Sequence, residues 1–311
     1  MNRGEAKPKI LVRKARSSDR ETVFDFCRKT FSWGDYIPRF WDSWLKDEKG
    51  RLFVATINGV PVGIMHLSID KPREAWLRAA RTNPDHRRVG IATALTKRCL
   101  EYARRKDVKI VRLETQSDNL AAQAVLKKVG FKPVAEFIHM RLEKVVAEKS
   151  RNSKWADTKR TEAIWNYVQS SECFRQAARL YTIIFHYYSL GKQDLKRFTA
   201  QRKAIVHENR RGEIDGVLLI DDTMKQEWHE NTIQTSYVDG NHNSVSEMAK
   251  FLKNHAHAQR INKIHAFIIN NKTMITAFQE VGFVPEDTID IIYAKKIQYT
   301  SRQRVSGSGF S

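Results

Sequence analysis

Apolar positions recur three and four apart in some stretches and alternate in others, and these two periods divide the chain into helices and strands. Residues 10–14 read as a strand, and a helix follows from Ser18 with Glu21 three residues on, a capping-box spacing. Residues 38–45 form a second helical piece that carries Phe40, Trp41 and Trp44. Strands at 52–57 and 60–69 meet across Asn58-Gly59, a dipeptide suited to a tight hairpin turn. A fourth strand, from Ala75 to near Thr82, is closed by Asn83-Pro84-Asp85. An amphipathic helix over 91–105, a strand over 108–115, a helix opened by Asn119 and a strand over 137–142 complete the pattern.

The chain then repeats itself. Residues 119–131 and 271–283 both begin with Asn, end in Val-Gly-Phe and share length and apolar phasing. Each follows an apolar strand (108–115 and 263–269), and a helix-like stretch precedes each strand (91–105 and 244–259). A repeat of this period signals duplication of a whole domain. The expected layout is a first domain over 9–145, a charged linker over 146–159, a second domain over 160–297 and a polar, disordered tail over 298–311. In the second domain the pattern predicts helical segments at 162–190 and 191–198. Strands are expected at 204–208, 216–220, 232–238 and 288–295.

Composition narrows the class. The 311 residues suffice for two domains with real cores, and no run of 18 apolar residues suggests a membrane span. An N-terminus without an apolar stretch and three scattered cysteines (Cys27, Cys99, Cys173) point to a cytoplasmic protein with reduced thiols. Ten histidines without metal-ligand spacing point away from a metal site. The net charge of +20 fits two readings: an attraction to polyanions such as RNA, DNA or a ribosome, or solvated basic faces spread along the chain.

The chemistry concentrates at Arg87-Arg88-Val89-Gly90-Ile91-Ala92. Small residues at the start of a helix let backbone N–H groups approach an anion, and the helix dipole favours one there. Strand, basic turn and helix together make a pyrophosphate site.

With these residues in place, the chain resembles the GNAT superfamily of acetyl-CoA-dependent N-acetyltransferases. Arg87, Gly90 and Ala92 occupy the fixed positions of the family's phosphate-loop motif, and Asn119, Gly130 and Phe131 match its Asn-to-Gly-Phe helix. The motifs cover 9–145, and 155–297 follow by repeat similarity. The resemblance implies an α/β, α+β-type mixed sheet in a tandem GNAT-like arrangement, with acetyl-CoA as cosubstrate, an amine as acceptor and no metal. It implies that the backbone of Arg88, Val89, Gly90, Ile91, Ala92 and Thr93 holds the pyrophosphate, with Arg87 and Arg88 adding side chains. The backbone of Arg81 and Thr82 would pair with the pantetheine arm and polarise the thioester carbonyl. Asn119 would bond to the same arm, or cap its helix.

An alkylammonium must lose a proton before it attacks. Glu114 aligns with the strand-five base of ribosomal-protein N-terminal acetyltransferases; a strand-edge salt bridge is its other reading. His66 is a second candidate base. The family's Tyr in the fourth helix, a general acid, is Leu126 here, which leaves Tyr36 and Tyr102 as substitutes, and Arg78 stands where many relatives have a carboxylate. In the second domain, counting back 27 residues from Asn271 puts Asp239–Ser244 at the loop and His242 at its glycine, unfit for phosphate. Asp35 or Asp42 could pair with a substrate ammonium, and Tyr36 and the tryptophans around them either hold a cation or simply pack. The competing functional reading is a non-catalytic, CoA-sensing or nucleic-acid-associated protein.

Overall fold

The computed structural model describes residues 8–28, 30, 34–222 and 231–298. Trp33 and the tail from 299 onward lie outside the described residues. The chain makes two compact units. One takes the described residues up to Leu113, Leu120–Lys132 and those from Tyr293; the other takes Glu114–Asn119 and Pro133–Ile292.

In the first unit, β1 (Ile10–Lys14), β2 (Arg51–Ile57), β3 (Val60–Lys71) and β4 (Glu74–Thr82) pair antiparallel in chain order. β5 (Ile110–Gln116) joins β4 in parallel. β2 and β3 are buried along most of their length because both faces are covered. Helices α1 (Arg20–Arg28) and α2 (Ile37–Leu45) bring Val23, Phe26, Trp41 and Trp44 to Leu52, Val54 and Ile64. The opposite face receives α3 (Ile91–Arg105). A Cβ at Gly63 would come within 2.6 Å of Ile91 Cγ2 and 2.9 Å of the Arg81 carbonyl oxygen. Glycine there is what lets the start of α3 settle onto β3. The expected cap at Ser18 is not the one used. A 3-10 turn over Ser17–Asp19 precedes α1, and the Asp19 carboxylate accepts from the Arg16 N–H at 2.7 Å.

The Val-Gly-Phe repeat has a structural cause. At the end of α4 (Leu120–Lys128), Gly130 N–H bonds to Lys127 O (3.1 Å) and Phe131 N–H to Leu126 O (3.0 Å), with Gly130 at φ +80°. Gly282 and Phe283 repeat both bonds, at 2.9 and 3.1 Å, beyond α9 (Lys272–Glu280). This pair of bonds is a Schellman ending, which needs a left-handed residue followed by an apolar one that packs back. Phe131 and Phe283 are buried accordingly.

The second unit orders its strands β14 (Val284–Lys296), β6 (Lys132–Leu142), β13 (Lys263–Ile269), β12 (Thr232–Gly240), β11 (Ile214–Asp221), β10 (Ala204–Glu208) and β7 (Ser153–Trp155). β6 pairs with β13 over Phe137–Leu142 and Ile264–Ile269, while the last residues of β14 belong to the first unit. The compact units are therefore not contiguous stretches of chain. Strand sequence carries no label for which half a strand completes, since edge pairing depends on register and face.

Two expectations differ from the structure. The charged stretch expected as linker contains β7, which pairs with β10. The helical reading of 162–190 holds for α5 (Thr161–Ser170) and α6 (Glu172–Gln176), and then a hairpin follows, β8 (Leu180–Ile183) and β9 (His186–Ser189). The run Thr-Ile-Ile-Phe-His-Tyr-Tyr is β-branched and aromatic, which favours strands. Its turn uses Ile184 and Phe185 at φ +46° and +57° without glycine, so the usual hairpin signal was missing. Helices α7 (Lys192–Ala200) and α8 (His242–Ala258) complete the unit.

Candidate active site

The parallel pairing of β4 with β5 covers only Glu74–Trp76 and Ile110–Arg112. β4 continues to Thr82 without it and carries an irregularity of its own. Its register against β3 slips between the Ile64/Arg81 and His66/Arg78 pairs, and Ala79 takes φ +57°. A bulge of this kind re-aims backbone groups at a strand's end. Thr82 and Arg81 keep their pairs with Gly63 and Ile64 on the β3 side.

β4 leads through a 3-10 turn (Pro84–His86) into the basic loop, where Arg88 stands at φ +65° and Gly90 at φ +102°. Gly90 is the residue before α3 and offers no side chain as a cap. The first bond of the helical ladder runs from Ala94 N–H to Gly90 O at 3.0 Å, so the N–H groups of Ile91, Ala92 and Thr93 stand outside it. Arg87, Arg88 and Gly90 are exposed. The loop thus offers uncapped donors, a positive dipole end and two cations, which fits a pyrophosphate.

The second unit shows the same place closed. Its α8 is capped by Asn241, whose side chain accepts from Ser244 N–H at 3.0 Å. The residue preceding this helix is thus Asn241, one place before the His242 reached by counting. Asp239 is buried and accepts from Tyr237 Oη (2.6 Å) and Ser171 Oγ (2.8 Å). His242 pairs with Glu280 at 3.1 Å. A side chain of the protein itself takes up one of the helix-start donors there, and a buried carboxylate lies beside it.

Several predicted roles change once the side chains are placed. Asp35 is not open to an ammonium: it receives Arg81 Nε at 2.7 Å, both side chains being buried. Asp42 is taken by Arg20 at 2.7 Å. The Arg81 side chain is thereby committed to Asp35. Asp35→Ala should destabilise the protein by about 3–5 kcal/mol in chemical denaturation, because it strands a buried guanidinium.

The aromatic residues of α2 pack: Trp41 and Trp44 are buried, and Trp44 stacks on His66 at 4.8 Å. His66 is itself buried, bonded to Asp47 at 3.1 Å, and burial depresses its pKa, so it is a core histidine. Tyr102 donates to the carbonyls of Lys49 and Gly50. Tyr36 lies at the β4 bulge, where its phenol oxygen bonds with the backbone of Ala79 and Arg81 sits over its ring at 5.3 Å. Burial raises its pKa and keeps it protonated. Arg78 reaches Ser68 Oγ at 3.1 Å, and Leu126 is a core residue.

Glu114 follows β5's paired segment by two residues and is partly exposed. Burial of its carboxyl, and then the charge of Asp290, push its pKa up to about 8. Among the described residues no cation contributes to this shift, so a strand-edge salt bridge is not what sets it. Asn119 is exposed and begins the turn into α4; its counterpart Asn271 caps α9 by accepting from Thr273 N–H at 2.9 Å. Sequence reasoning missed Asp290, which carries no motif, and the Ala79 bulge, which only pairing reveals.

Among the described residues no group of three or more His, Cys, Asp and Glu side chains could hold a metal ion. No described helix is long and apolar enough to cross a membrane.

Residues 20–131 match the Acetyltransferase (GNAT) family. An uncharacterized N-acetyltransferase of Methanocaldococcus jannaschii is 35% identical over 101 residues, 30% of this chain and 44% of that protein. The chain thus spans less than half of that relative. A GCN5-related N-acetyltransferase from Sphaerobacter thermophilus superposes with a TM-score of 0.60 at 11% identity, covering 93% of this chain and 96% of that one. A tandem GNAT protein from the clavulanic acid biosynthesis pathway gives 0.54 at 15%, covering 94% and 100%. Residues 20–131 thus carry the match to the GNAT family, and the fold of the GNAT structures extends over most of this chain's length.

Proposed function

We propose that this protein moves an acetyl group from acetyl-CoA to a primary amine through one working site, in the domain read as 9–145, while the half over 160–297 has lost its own cofactor loop. The observation that carries this reading is the contrast between the two helix starts. α3 opens on an uncapped glycine behind two arginines, and α8 opens on its own asparagine cap beside a buried carboxylate. The N–H groups of Ile91, Ala92 and Thr93 would hold the pyrophosphate with Gly90 and Val89, and the side chains of Arg87 and Arg88 would add charge. The backbone of Arg81 and Thr82 would line the pantetheine arm, with Asn119 as a further donor.

Acetyl-CoA supplies an activated thioester. The acceptor ammonium gives one proton to Glu114, and its freed lone pair forms the new C–N bond. The C–S bond breaks with its electron pair on sulfur, and a second amine proton passes to that sulfur. Glu114 returns its proton to water. Burial suits Glu114 to this task, since a base must hold a proton well enough to take it from an amine near neutral pH. Tyr36, held protonated at the β4 bulge, would stand in for the phenol that Leu126 has displaced, giving its proton to the sulfur and taking up the second amine proton in its place. The test is thiol release from acetyl-CoA over amino acids, polyamines and peptides; no release over any amine defeats the catalytic reading.

One surface favours a second reading, in which the protein works on a nucleic acid. Lys14, Arg51, Arg98, Arg105 and Lys106 line one groove with Phe53 and Tyr102. Arg51 lies over Tyr102 at 5.3 Å and Arg98 over Phe53 at 5.7 Å. Arg105→Glu with Lys106→Glu should lower the slope of log affinity against log salt for single-stranded oligonucleotides by about 1.4, at about 0.7 per phosphate contact. An unchanged slope removes the groove as a nucleic-acid surface.

A further inference from the structure

We infer that Asp290, brought by the final strand, is a positioning residue that pairs with Glu114, so that the two carboxyls share a single proton and act as one base. This rests on the reading of Glu114 as the proton acceptor.

The placement comes from the backbone. β14 runs antiparallel to β5: Ile297 N–H bonds to Lys109 O at 2.8 Å, and Ser117 N–H to Ile289 O at 2.8 Å. Side chains fasten the same stretch, with Ile289 N–H on Ser117 Oγ at 3.1 Å and Gln116 Nε2 on Thr288 Oγ1 at 3.2 Å. Ser117 opposite Ile289 sets Gln116 opposite Asp290 and Glu114 opposite Ile292. Residues 114 and 116 share one face of the sheet with 290 and 292, so Glu114 and Asp290 are diagonal neighbours, about 7–8 Å apart along the backbone and closer through their side chains.

Among the described residues no cation lowers the pKa of either carboxyl. Asp290 is 3% exposed, and its Oδ2 has no hydrogen-bond partner among the described residues. Two carboxylates on one buried face cannot both ionise without a cation, and the basic residues of the adjoining strand β6 pair elsewhere. His139 and Arg141 hold Glu286, four residues before Asp290 on the same strand, at 3.0 and 3.2 Å. Tyr187 of β9 is the remaining titratable neighbour; it is buried, and the charges of Asp290 and Glu114 raise its pKa further, so it stays a neutral phenol. Burial, and then Glu286, raise Asp290 to about 7, beside Glu114 at about 8. One proton held between two such groups is the arrangement that satisfies both.

The difference between the two residues is exposure. Glu114 is partly exposed and Asp290 is buried, so Glu114 is the member of the pair with a side open to solvent. Asp290 therefore acts through Glu114, by making its carboxylate harder to form and quicker to take a proton.

The test uses the full-length protein and two isosteric variants. In Asp290→Asn the like charge is gone, so the acid limb of the kcat/KM profile should move to lower pH by about one unit, while the KM for acetyl-CoA stays as in the wild type. Carboxyl carbon NMR titration reads the pair without activity. In the wild type two carboxyl signals should titrate together near neutrality, and in Glu114→Gln the Asp290 signal should titrate at lower pH, while burial and Glu286 keep it above the ordinary carboxylate range. An unmoved acid limb in Asp290→Asn, or independent titration of the two signals, overturns the pairing. Coupled titration with full activity in Glu114→Gln overturns instead the reading of Glu114 as base, and the pair then stands as a structural one. The two failures are thus distinguishable.

Discussion

Gly90→Asp is expected to weaken acetyl-CoA binding by about a hundredfold or more in isothermal titration calorimetry, while the protein remains folded. Two effects combine. The residue sits at φ +102°, where an L side chain costs about 1–2 kcal/mol, so the loop either stores that strain or turns its N–H groups away. The new carboxylate also stands where a pyrophosphate would accept from Ile91, Ala92 and Thr93, repelling it and offering those donors a cap of the protein's own. The second unit has such a cap: Asn241 caps α8, and the buried Asp239 lies two residues before it. Gly90→Ala separates the two terms, because it keeps the strain and omits the charge; a loss of about tenfold is expected. The packing is not at stake, since the nearest atom to a Cβ at this position is 4.0 Å away. Unaltered affinity in Gly90→Asp would remove the loop as the cofactor's anchor.

Glu114→Gln should lower kcat by about a hundredfold to ten-thousandfold, the range general-base removal gives, with acetyl-CoA affinity unchanged. The wild-type rate should rise with pH as this carboxyl ionises, up to about 8. Stability supplies an independent reading, with the opposite sign. The folded protein binds the Glu114 proton more tightly than the unfolded chain does. Its contribution is therefore complete below the ordinary carboxyl range and is lost as pH rises toward the raised value. Glutamine cannot ionise, so the melting temperature of the variant should gain on the wild type from pH 5 to 8. Full activity in Glu114→Gln removes it as the base; a melting difference that ignores pH removes the burial argument.

The loop was legible because its chemistry is local. Gly90 and the two arginines lie beside a helix start, and a few adjacent residues decide whether that start is capped. The Val-Gly-Phe repeat was legible for the same reason: a Schellman ending is written in three consecutive residues. Asp35 shows where this stops. Its sequence context, among aromatics ahead of α2, fits an exposed ammonium partner as well as a buried ion pair, and only the position of Arg81 on β4 decides between them. His66 is similar, since stacking on Trp44 and bonding to Asp47 depend on contacts across 22 and 19 positions in the chain.

By itself, then, the sequence determined most of the elements, the Val-Gly-Phe repeat and the difference between one helix start that opens on glycine and one that opens on its own cap. Each follows from neighbours along the chain, where backbone conformation and capping are set. The tertiary structure decided which strand completes which unit, where the β4 pairing opens, and that Glu114 has a second carboxyl for company. Those depend on strand register and burial, and a carboxylate's proton affinity is set by what surrounds it in space. Glu114 and Asp290 lie far apart in sequence, and the backbone bonds between β5 and β14 put them on one face.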